Sequence, residues 1–381
     1  MRLHVGLNLI FLVPQETGGM EIAARALIPA LRDAAPSVRF TAFVNQEAAR
    51  EDFGVEQQVL NVRASNRLQW VRGEQVLLPA AARRAGCGVV HSLASTAPAR
   101  GRFARVVTIH DLNYLMVPDA HFGLRGLGMR ALVPLAARTA HRILADSAST
   151  RDDLVGRLGV PAAKVDVVPL GLGQPATSVP TTGADLRARL ELGNRRVLLS
   201  LSAKRPHKNL AGLLEALALI PTERRPVAVL PGYPTPHERE LRDHAAALGV
   251  RDDVRFLGWT SGEDIEGLFA LAACFIFPSF YEGFGLPVLE AMARGVPVAC
   301  SDRSSLPEVS GDAALLFNPT DPLAIAAAIQ QILGDDAVAS RLREAGLARA
   351  AAFTWERSAR ATLASYECAL SAARSPRSRV G

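Results

Sequence analysis

The sequence predicts an α/β protein with two Rossmann-like, doubly wound parallel sheets. Short apolar runs of strand length alternate with helical patterns, which is typical of parallel strands covered by helices rather than of a β-sandwich or a helical bundle. A length of 381 residues exceeds what one hydrophobic core usually serves, so we expect two domains. Residues 171–182, rich in Gly, Pro and Thr, follow neither period and separate the two series.

Each half supplies apolar runs that we interpret as buried strands. The run after Met1-Arg2 is not followed by a small-residue cleavage site, so it predicts a first strand rather than a secretory signal. In chain order the candidate strands are residues 3–12, 40–44, 88–91, 106–109, 143–146 and 165–168, and then residues 197–202, 226–230, 254–257, 274–277 and 296–299. We predict an N-terminal domain over residues 1–172, a linker over 173–193 and a C-terminal domain over 194–355.

Composition permits an intracellular enzyme. The balance of 43 basic against 37 acidic residues gives a formal charge of +6, which weakly favours anionic ligands and does not require nucleic acid as a partner. No apolar run reaches the roughly 18–20 residues that cross a bilayer, so we expect a soluble protein or one attached only to a membrane surface. The cysteines, Cys87, Cys274, Cys300 and Cys368, form no Cys-x-x-Cys pair and predict free thiols in a reducing cytoplasm.

Two carboxylates flank a loop and a helix start in the second half. An apolar strand candidate is followed by a loop that carries Glu282, Gly283 and Gly285, and Pro287 suits the first position of a helix. Glycines lack a Cβ, so backbone N–H groups can approach a ligand, and the helix N-terminus favours a diphosphate. Glu290, about one turn into the helix, can accept hydrogen bonds from ribose hydroxyls. The alternative is that both carboxylates are ordinary solvated charges.

The sequence around this loop resembles that of a known family. Residues 277–298, FPSFYEGFGLPVLEAMARGVPV, closely resemble the signature of glycosyltransferase family 4, the retaining GT-B enzymes of bacterial type. The stretch from Ser301-Asp302 to Ala313-Ala314 is similar to the family as well. The resemblance implies two Rossmann-like domains that face a central cleft. It also implies that a helix within residues 356–381 crosses back to the N-terminal domain before a short tail.

Two loops of the N-terminal half acquire a role from this resemblance. Consecutive glycines, Gly18 and Gly19, let a turn approach the donor diphosphate or its sugar, although such a pair is otherwise only a flexible turn. His110 and Asp111, at the end of a strand candidate, can orient each other, contact the sugar or steer the acceptor hydroxyl. The resemblance implies that His110 lies beside the transferred sugar, and it puts Asp111 and Asn113 on the acceptor side.

A basic loop opens the C-terminal half. Cations there would neutralise a departing diphosphate, which is the main electrostatic need of glycosyl transfer. Lys208 matches the family lysine in its Pro-x-Lys-Asn-Leu setting. The family often has an arginine near the place of Ala203, and this chain departs from that, so Arg205 or Lys204 is expected to replace it. The alternative is a solvated basic turn.

The resemblance implies the reaction and its partners. A sugar would pass from a nucleotide-diphosphate sugar to an unidentified hydroxyl acceptor with retention of configuration, and Glu282, His110 and Lys208 would be the catalytic residues. The residues leave open whether Glu282 forms a covalent intermediate or acts electrostatically. No metal or other cofactor is expected, and the chain has no Asp-x-Asp tripeptide. The expected donor-binding residues are Gly18, Gly19, Lys204, Arg205, Gly283, Phe284, Gly285, Leu286 and Glu290.

Two features raise the question of membrane contact. Residues 124–142 carry four arginines among apolar residues and could rest on anionic lipid while a lipid-linked acceptor is handled, at the inner face of the membrane. The alternative is an ordinary surface helix with a basic face. The basic run from Arg374 to Arg379 predicts a frayed tail.

Two other classes of function remain open. A GT-B nucleotide-sugar epimerase would share the two-domain cleft, but it would convert the donor without an acceptor. A non-catalytic nucleotide-sugar binder would keep its ligand and lose nothing measurable when Glu282 is replaced.

Overall fold

Two parallel sheets, each in a unit of its own, form the cores of the protein. The computed structural model describes residues 3–14, 16–117, 124–173 and 179–374. Among these, the first unit contains the residues up to 115, residues 124–173 and the residues from 353 onward, and the second contains residues 116–117 and 179–352. The chain thus returns to the first unit at Phe353 after completing the second.

The first unit is built, within the described residues, on seven parallel strands in the order β3-β2-β1-β4-β5-β6-β7. These strands are β1 (His4–Leu9), β2 (Arg39–Val44), β3 (Glu56–Val59), β4 (Val89–Ser92), β5 (Ala104–Ile109), β6 (Arg142–Ala145) and β7 (Val165–Val167). Strands β1 and β5 are buried along their whole length, as expected for parallel strands that helices cover on both faces.

Helices of the first unit include one from the end of the chain. They are α1 (Gly19–Ala34), α2 (Arg67–Arg72), α3 (Leu78–Ala85), α4 (Asn113–Met116), α5 (Leu124–Thr139), α6 (Ala148–Leu158) and α15 (Trp355–Arg374). A single turn of π-helix, Gly73–Leu77, joins α2 to α3, and we call it the π-turn. Ile28 and Leu31 of α1 and Tyr366 of α15 are buried in one apolar cluster with Val5 of β1. The last helix is therefore part of the first core.

The second unit is built, within the described residues, on six parallel strands in the order β10-β9-β8-β11-β12-β13. These strands are β8 (Val197–Leu199), β9 (Val227–Leu230), β10 (Val254–Phe256), β11 (Ala272–Phe277), β12 (Val298–Ser301) and β13 (Ala314–Phe317). Its helices are α7 (Gly183–Arg189), α8 (Leu210–Leu219), α9 (His237–Ala247), α10 (Gly262–Leu271), α11 (Leu286–Ala293), α12 (Leu306–Ser310), α13 (Pro322–Gly334) and α14 (Asp336–Ala350). Leu213 of α8 and Ile329 of α13 are buried in one cluster with Ile276 of β11.

The prediction of two doubly wound parallel sheets is confirmed. Each of the eleven candidate strands overlaps a strand of the structure. Two strands were missed, β3 and β13, and both lie at sheet edges where their residues are partly exposed. The sequence of β3, EQQV, has a weak apolar pattern, whereas β13, ALLF, is apolar and was overlooked. Helix α7 lies inside the segment that the sequence predicted as a linker. The predicted tail beyond Arg374 lies outside the described residues.

Expectations from composition can be compared with the structure. All four cysteines are free thiols; Cys87, Cys274 and Cys300 are buried and Cys368 is exposed. Among the described residues, no helix combines the length and the apolar character needed to span a bilayer. In α5, Val133 is buried while Arg130 and Arg138 are exposed, and contact of this helix with a membrane surface stays a prediction.

Candidate active site

Lys208 and Glu282 lie together at the carboxyl edge of the second sheet. Lys208 ends a short 3₁₀ turn after β8, and Glu282 lies in the loop after β11, the neighbouring strand. The Lys208 ammonium donates to the Glu282 carboxylate at 2.6 Å, and the two side chains are 18% and 12% exposed. The ammonium also lies 5.6 Å from the centre of the Phe277 ring. The structure thus brings together two of the three predicted catalytic residues.

The loop that carries Glu282 is held by two serines that precede α12. The Ser304 hydroxyl oxygen accepts a hydrogen bond from the Glu282 N–H at 2.9 Å. The Ser305 hydroxyl lies 2.6 Å from the Phe284 carbonyl and 3.0 Å from that of Glu282, and it donates to them. Gly285 has a φ of 117°, and a Cβ there would lie 2.8 Å from a leucine side chain, so the loop requires glycine at this point.

Helix α11 presents its N-terminus to the same loop. The helix begins at Leu286, and Pro287 lies in its first turn, as the sequence predicted. No side chain of the described residues caps this end by a hydrogen bond. The start of an α-helix carries a partial positive charge, which suits an anion. In α11, however, Pro287 has no N–H, and the Val288 N–H donates to the Gly285 carbonyl at 3.0 Å. Phe284, in this loop, is buried. Anion binding at this helix start stays a prediction.

Glu290 lies farther along α11 in an unusual environment. Burial raises the pKa of Glu290, the Arg294 guanidinium opposes this rise, and Glu266 adds to it. The Arg294 guanidinium donates to the Glu266 carboxylate, from Nε at 2.7 Å, and to the Glu290 backbone carbonyl at 2.9 Å rather than to the Glu290 carboxylate. Within the described residues no group donates a hydrogen bond to the Glu290 carboxylate, so its oxygens remain available to hydroxyl donors.

Lys204 differs from the prediction. Its side chain is completely buried, and its ammonium donates to the Gly232 carbonyl at 2.6 Å and to the Leu257 carbonyl. Burial lowers the pKa of Lys204 to about 8, although Glu238 opposes the shift. The lysine connects the loops after β9 and β10. We withdraw it from the predicted donor-binding residues because its ammonium is buried and donates to these two carbonyls.

Arg205 is the remaining candidate for the second cation. It is partly exposed, and its guanidinium makes no ion pair or side-chain hydrogen bond with any residue that the structure describes. Its role toward a diphosphate stays a prediction.

Gly18 and Gly19 begin α1 in the first unit. Gly18 precedes the helix with a φ of 67°, and no described atom lies within 4 Å of the place of a Cβ at either glycine. The Thr17 hydroxyl braces the turn, since it accepts from the Val13 N–H at 2.8 Å and donates to the Val13 carbonyl at 2.9 Å. The turn leaves open space before a helix N-terminus, and its contact with the donor stays a prediction.

His110 pairs with an aspartate that the sequence analysis did not select. Its Nδ1 lies 2.7 Å from an Asp146 carboxylate oxygen, and its Nε2 lies 2.9 Å from the Leu93 carbonyl. The expectation that His110 and Asp111 orient each other was wrong because Asp146 follows β6, the strand beside β5, and reaches the ring instead.

The charge state of His110 follows from these contacts. Burial alone would lower the pKa of His110, but the charge and hydrogen bond of Asp146, together with the Leu93 carbonyl, raise it to about 9. We assign an imidazolium that donates from both nitrogens. In this state the ring offers no lone pair, so it cannot act as a general base.

The two predicted acceptor-side residues bind each other. The Asp111 carboxylate accepts from the Asn113 N–H at 2.9 Å and from the Asn113 side-chain amide at 2.6 Å. They fix the start of α4, close in sequence to His110. Their contact with an acceptor stays a prediction.

Sequence reasoning missed the groups that hold the site. Asp146 is the last residue of a strand candidate, so the adjacency of β5 and β6 could have indicated it. Ser304 and Ser305 carry no signal beyond their place in a family-like stretch. In the described part of the chain, no three His, Cys, Asp or Glu side chains are grouped so as to hold a metal ion, and metal independence stays a prediction.

Two family models match the chain. The model described as glycosyl transferases group 1 matches residues 184–349, and the model described as glycosyltransferase family 4 matches residues 17–172. The two matches fall on the second and first units respectively.

Known proteins are similar over most of the chain. The O-antigen chain mannosyltransferase B of Escherichia coli is 36% identical over 269 residues, which are 69% of this chain and 70% of that protein. The MMP alpha-(1->4)-mannosyltransferase of Mycolicibacterium hassiacum is 32% identical over 255 residues, which are 65% of this chain and 58% of that protein. Among solved structures, Anabaena HepE in complex with UDP-glucose has a TM-score of 0.73 and 20% identity, over 95% of this chain and all of that chain.

Proposed function

The chain belongs to glycosyltransferase family 4 and is a glycosyltransferase, and we propose that it moves a mannosyl group from a nucleotide-diphosphate mannose to a hydroxyl acceptor with retention of the anomeric configuration. The similarity of the chain to two mannosyltransferases supports the assignment of a mannosyl donor. A nucleotide diphosphate as the carrier is favoured by the structural neighbour that binds UDP-glucose. The first relative further favours a growing polysaccharide as the acceptor.

The observation that carries this proposal is the Lys208–Glu282 ion pair beside the uncapped start of α11. A sugar diphosphate needs a cation and N–H donors for its phosphates and an acceptor of hydrogen bonds for its sugar hydroxyls. Lys208, α11 and Glu282 supply these three kinds of group at one edge of the second sheet. A chain without ligand would pair the cation with the carboxylate, since each then lacks its substrate partner.

The proposed reaction breaks the bond between the anomeric carbon and the diphosphate oxygen and forms a bond from that carbon to the acceptor oxygen. Lys208, with Arg205 as the second cation, would stabilise the negative charge of the leaving diphosphate. Glu282 would bind the sugar hydroxyls and stabilise the positive charge that develops at the anomeric carbon.

The acceptor proton needs a base on the same face of the sugar. His110 is unsuited, because both of its ring nitrogens already donate hydrogen bonds. We therefore assign this proton to an oxygen of the departing diphosphate, which makes the transfer a front-face displacement. In this scheme the role of His110 is to supply a fixed positive charge and not to transfer a proton. The scheme requires no metal.

Donor binding tests the proposal first. Thermal unfolding of the purified protein is followed with GDP-mannose, UDP-glucose and UDP-N-acetylglucosamine, and a ligand at 100 times its Kd should stabilise the fold by about 2.7 kcal/mol. We expect stabilisation by GDP-mannose above the other two. An absence of stabilisation by all three at millimolar concentration would reject a nucleotide-sugar donor.

Product analysis tests the reaction. The protein is incubated with the stabilising donor, with and without short mannose oligosaccharides as acceptors, and the anomeric configuration of the product is read by NMR. An α-linked product from an α-linked donor supports retention. A new nucleotide sugar formed without acceptor would instead identify an epimerase.

A further inference from the structure

Glu74 is a carboxylate buried in the first unit, and the proposed reaction does not use it. Its side chain lies in the π-turn Gly73–Leu77 and is 1% exposed. Single turns of π-helix within α-helical segments are rare and occur often at functional sites. The turn packs closely on the loop after β3, since a Cβ on Gly73 would lie 2.5 Å from the Val62 side chain.

Hydrogen bonds to the side chains of Glu74 and Gln75 hold the loop that follows β4. The Thr96 hydroxyl donates to Glu74 at 2.8 Å. Gln75 donates from its amide to the Ala97 carbonyl at 3.0 Å, and its side-chain oxygen accepts from the Ala99 N–H at 3.0 Å. The π-turn therefore clamps residues 96–99 at three points.

Asn8 extends this network into the sheet. Its side-chain amide donates to Glu74 at 3.2 Å and to the Ser92 hydroxyl at 3.0 Å. Asn8 lies in β1 and Ser92 ends β4, so Glu74 is tied to the carboxyl edge of the first sheet.

The clamped loop also carries the carbonyl that binds His110. Leu93, three residues before Thr96, accepts the hydrogen bond from His110 Nε2 at 2.9 Å. Between them Ser95 has a φ of 55°, a conformation that a serine rarely adopts, and its N–H donates to the Thr108 carbonyl at 2.8 Å. A strained residue persists only where its surroundings hold it in place.

We propose that Glu74 is a positioning residue: through Thr96 it fixes residues 93–99 and thereby the Leu93 carbonyl that keeps His110 doubly hydrogen-bonded. This role deepens the proposed function and rests on it as far as His110 serves transfer. Glu74 itself is too buried to touch a substrate in this conformation.

The surroundings of Glu74 support a positioning role for its carboxylate. Its hydrogen-bonding partners among the described residues, Asn8, Thr96 and Gln75, are all neutral. Burial raises the pKa of Glu74 to about 7, and the hydrogen bonds from these partners oppose the rise. A buried carboxylate without a cation costs stability, which a purely structural network would avoid by using an amide.

The test reads His110 directly by NMR. The histidine rings are labelled with ¹⁵N in the full-length protein, and the His110 signal is assigned from its loss in His110→Asn. Its titration is then compared in the wild type, Glu74→Gln, Thr96→Val and Glu47→Gln. The control, Glu47, also accepts from two backbone N–H groups and a hydroxyl in this unit, but those belong to Ala64 and Ser65.

We expect the pKa of His110 to fall by about one unit in Glu74→Gln and in Thr96→Val, an energy comparable to one weakened hydrogen bond. It should not change in Glu47→Gln. Transfer should lose on the order of 10- to 100-fold in kcat with the donor KM within about twofold, because misplacement by about 1 Å has effects of this size. Glu74→Asp, which keeps the carboxylate, should restore part of the loss.

Thr96→Val keeps the inference falsifiable if Glu74→Gln does not fold. The inference is overturned if a folded variant of either residue leaves the His110 titration and kcat at the wild-type values. A failure of the transferase proposal would look different, since the NMR coupling would remain while no transfer activity is found in any form of the protein.

Discussion

The Lys208 ammonium lies 2.6 Å from the Glu282 carboxylate, although 73 residues separate them in the sequence. The contact joins the loop after β8 to the loop after the adjacent strand β11. In the proposed reaction each member has a substrate partner of its own, the diphosphate for the lysine and the sugar for the glutamate. Donor binding would therefore replace the ion pair by two contacts with the substrate.

Glu282→Gln should abolish most turnover and spare diphosphate binding. Removal of one group that stabilises developing charge costs on the order of 100- to 1,000-fold in kcat. The Kd for GDP, which lacks the sugar, should stay the same or decrease because Lys208 loses a competing anion. Kinetics and calorimetric titration measure the two quantities, with Glu344→Gln on the exposed face of α14 as the control. Weaker GDP binding in Glu282→Gln would contradict the competition.

Lys208→Met should weaken the binding of GDP. A hydrogen bond to a charged group contributes about 1.5–3 kcal/mol, so Kd should rise on the order of 10- to 100-fold. Lys164→Met is the matched control, because that ammonium binds the Ala137 and Arg138 carbonyls in the first unit. Equal GDP affinity in the two variants would exclude Lys208 from the phosphate site.

Lys204→Met should destabilise the protein far more than Lys208→Met. The substitution leaves the carbonyls of Gly232 and Leu257 without their buried donor, and we expect a loss of about 2–4 kcal/mol in the free energy of unfolding. Lys208 and Glu282 are both partly exposed, so water can reach the carboxylate that the replacement leaves unpaired, and the loss should be smaller than for Lys204. Urea unfolding checks this ranking, and equal midpoints for the two variants would return Lys204 to the list of ligand-binding candidates.

The His110–Asp146 pair should make stability depend on alkaline pH. The pKa of His110 is raised from 6.5 to about 9, so the stabilisation is complete below pH 6.5 and is lost as the pH rises through 9. The shift corresponds to at most about 3 kcal/mol. His110→Asn should show a flatter dependence of the unfolding free energy between pH 6.5 and 9.5. A wild-type profile as flat as that of the variant would show that the ring is neutral in the folded protein.

The fold could be predicted from the sequence because buried parallel strands leave a strong local signal. Strand β11, with four consecutive buried residues, was found directly. The edge strand β3 was missed because its sequence, EQQV, is largely polar, and β13 was missed although its sequence, ALLF, is apolar. The Lys208–Glu282 loops were selected because motif residues and glycines mark them in the sequence.

Side-chain partners were harder to predict than the loops that carry them. Lys204 and Lys208 belong to one basic loop in the sequence, but one ammonium points to buried carbonyls and the other to a carboxylate. Glu74 lies on a π-turn that no local sequence pattern predicts, and its partner Asn8 is 66 residues away in the sequence. Such assignments depend on tertiary contacts that hydrophobic periodicity does not encode.

A crystal structure of the protein with GDP-mannose, or with GDP and a non-transferable mannose analogue, tests the central claim most directly. The account predicts a phosphate oxygen within about 3 Å of Lys208 Nζ, hydroxyls of the sugar on Glu282, and a broken ion pair between these two residues. A diphosphate bound elsewhere, with the Lys208–Glu282 contact intact, would contradict it.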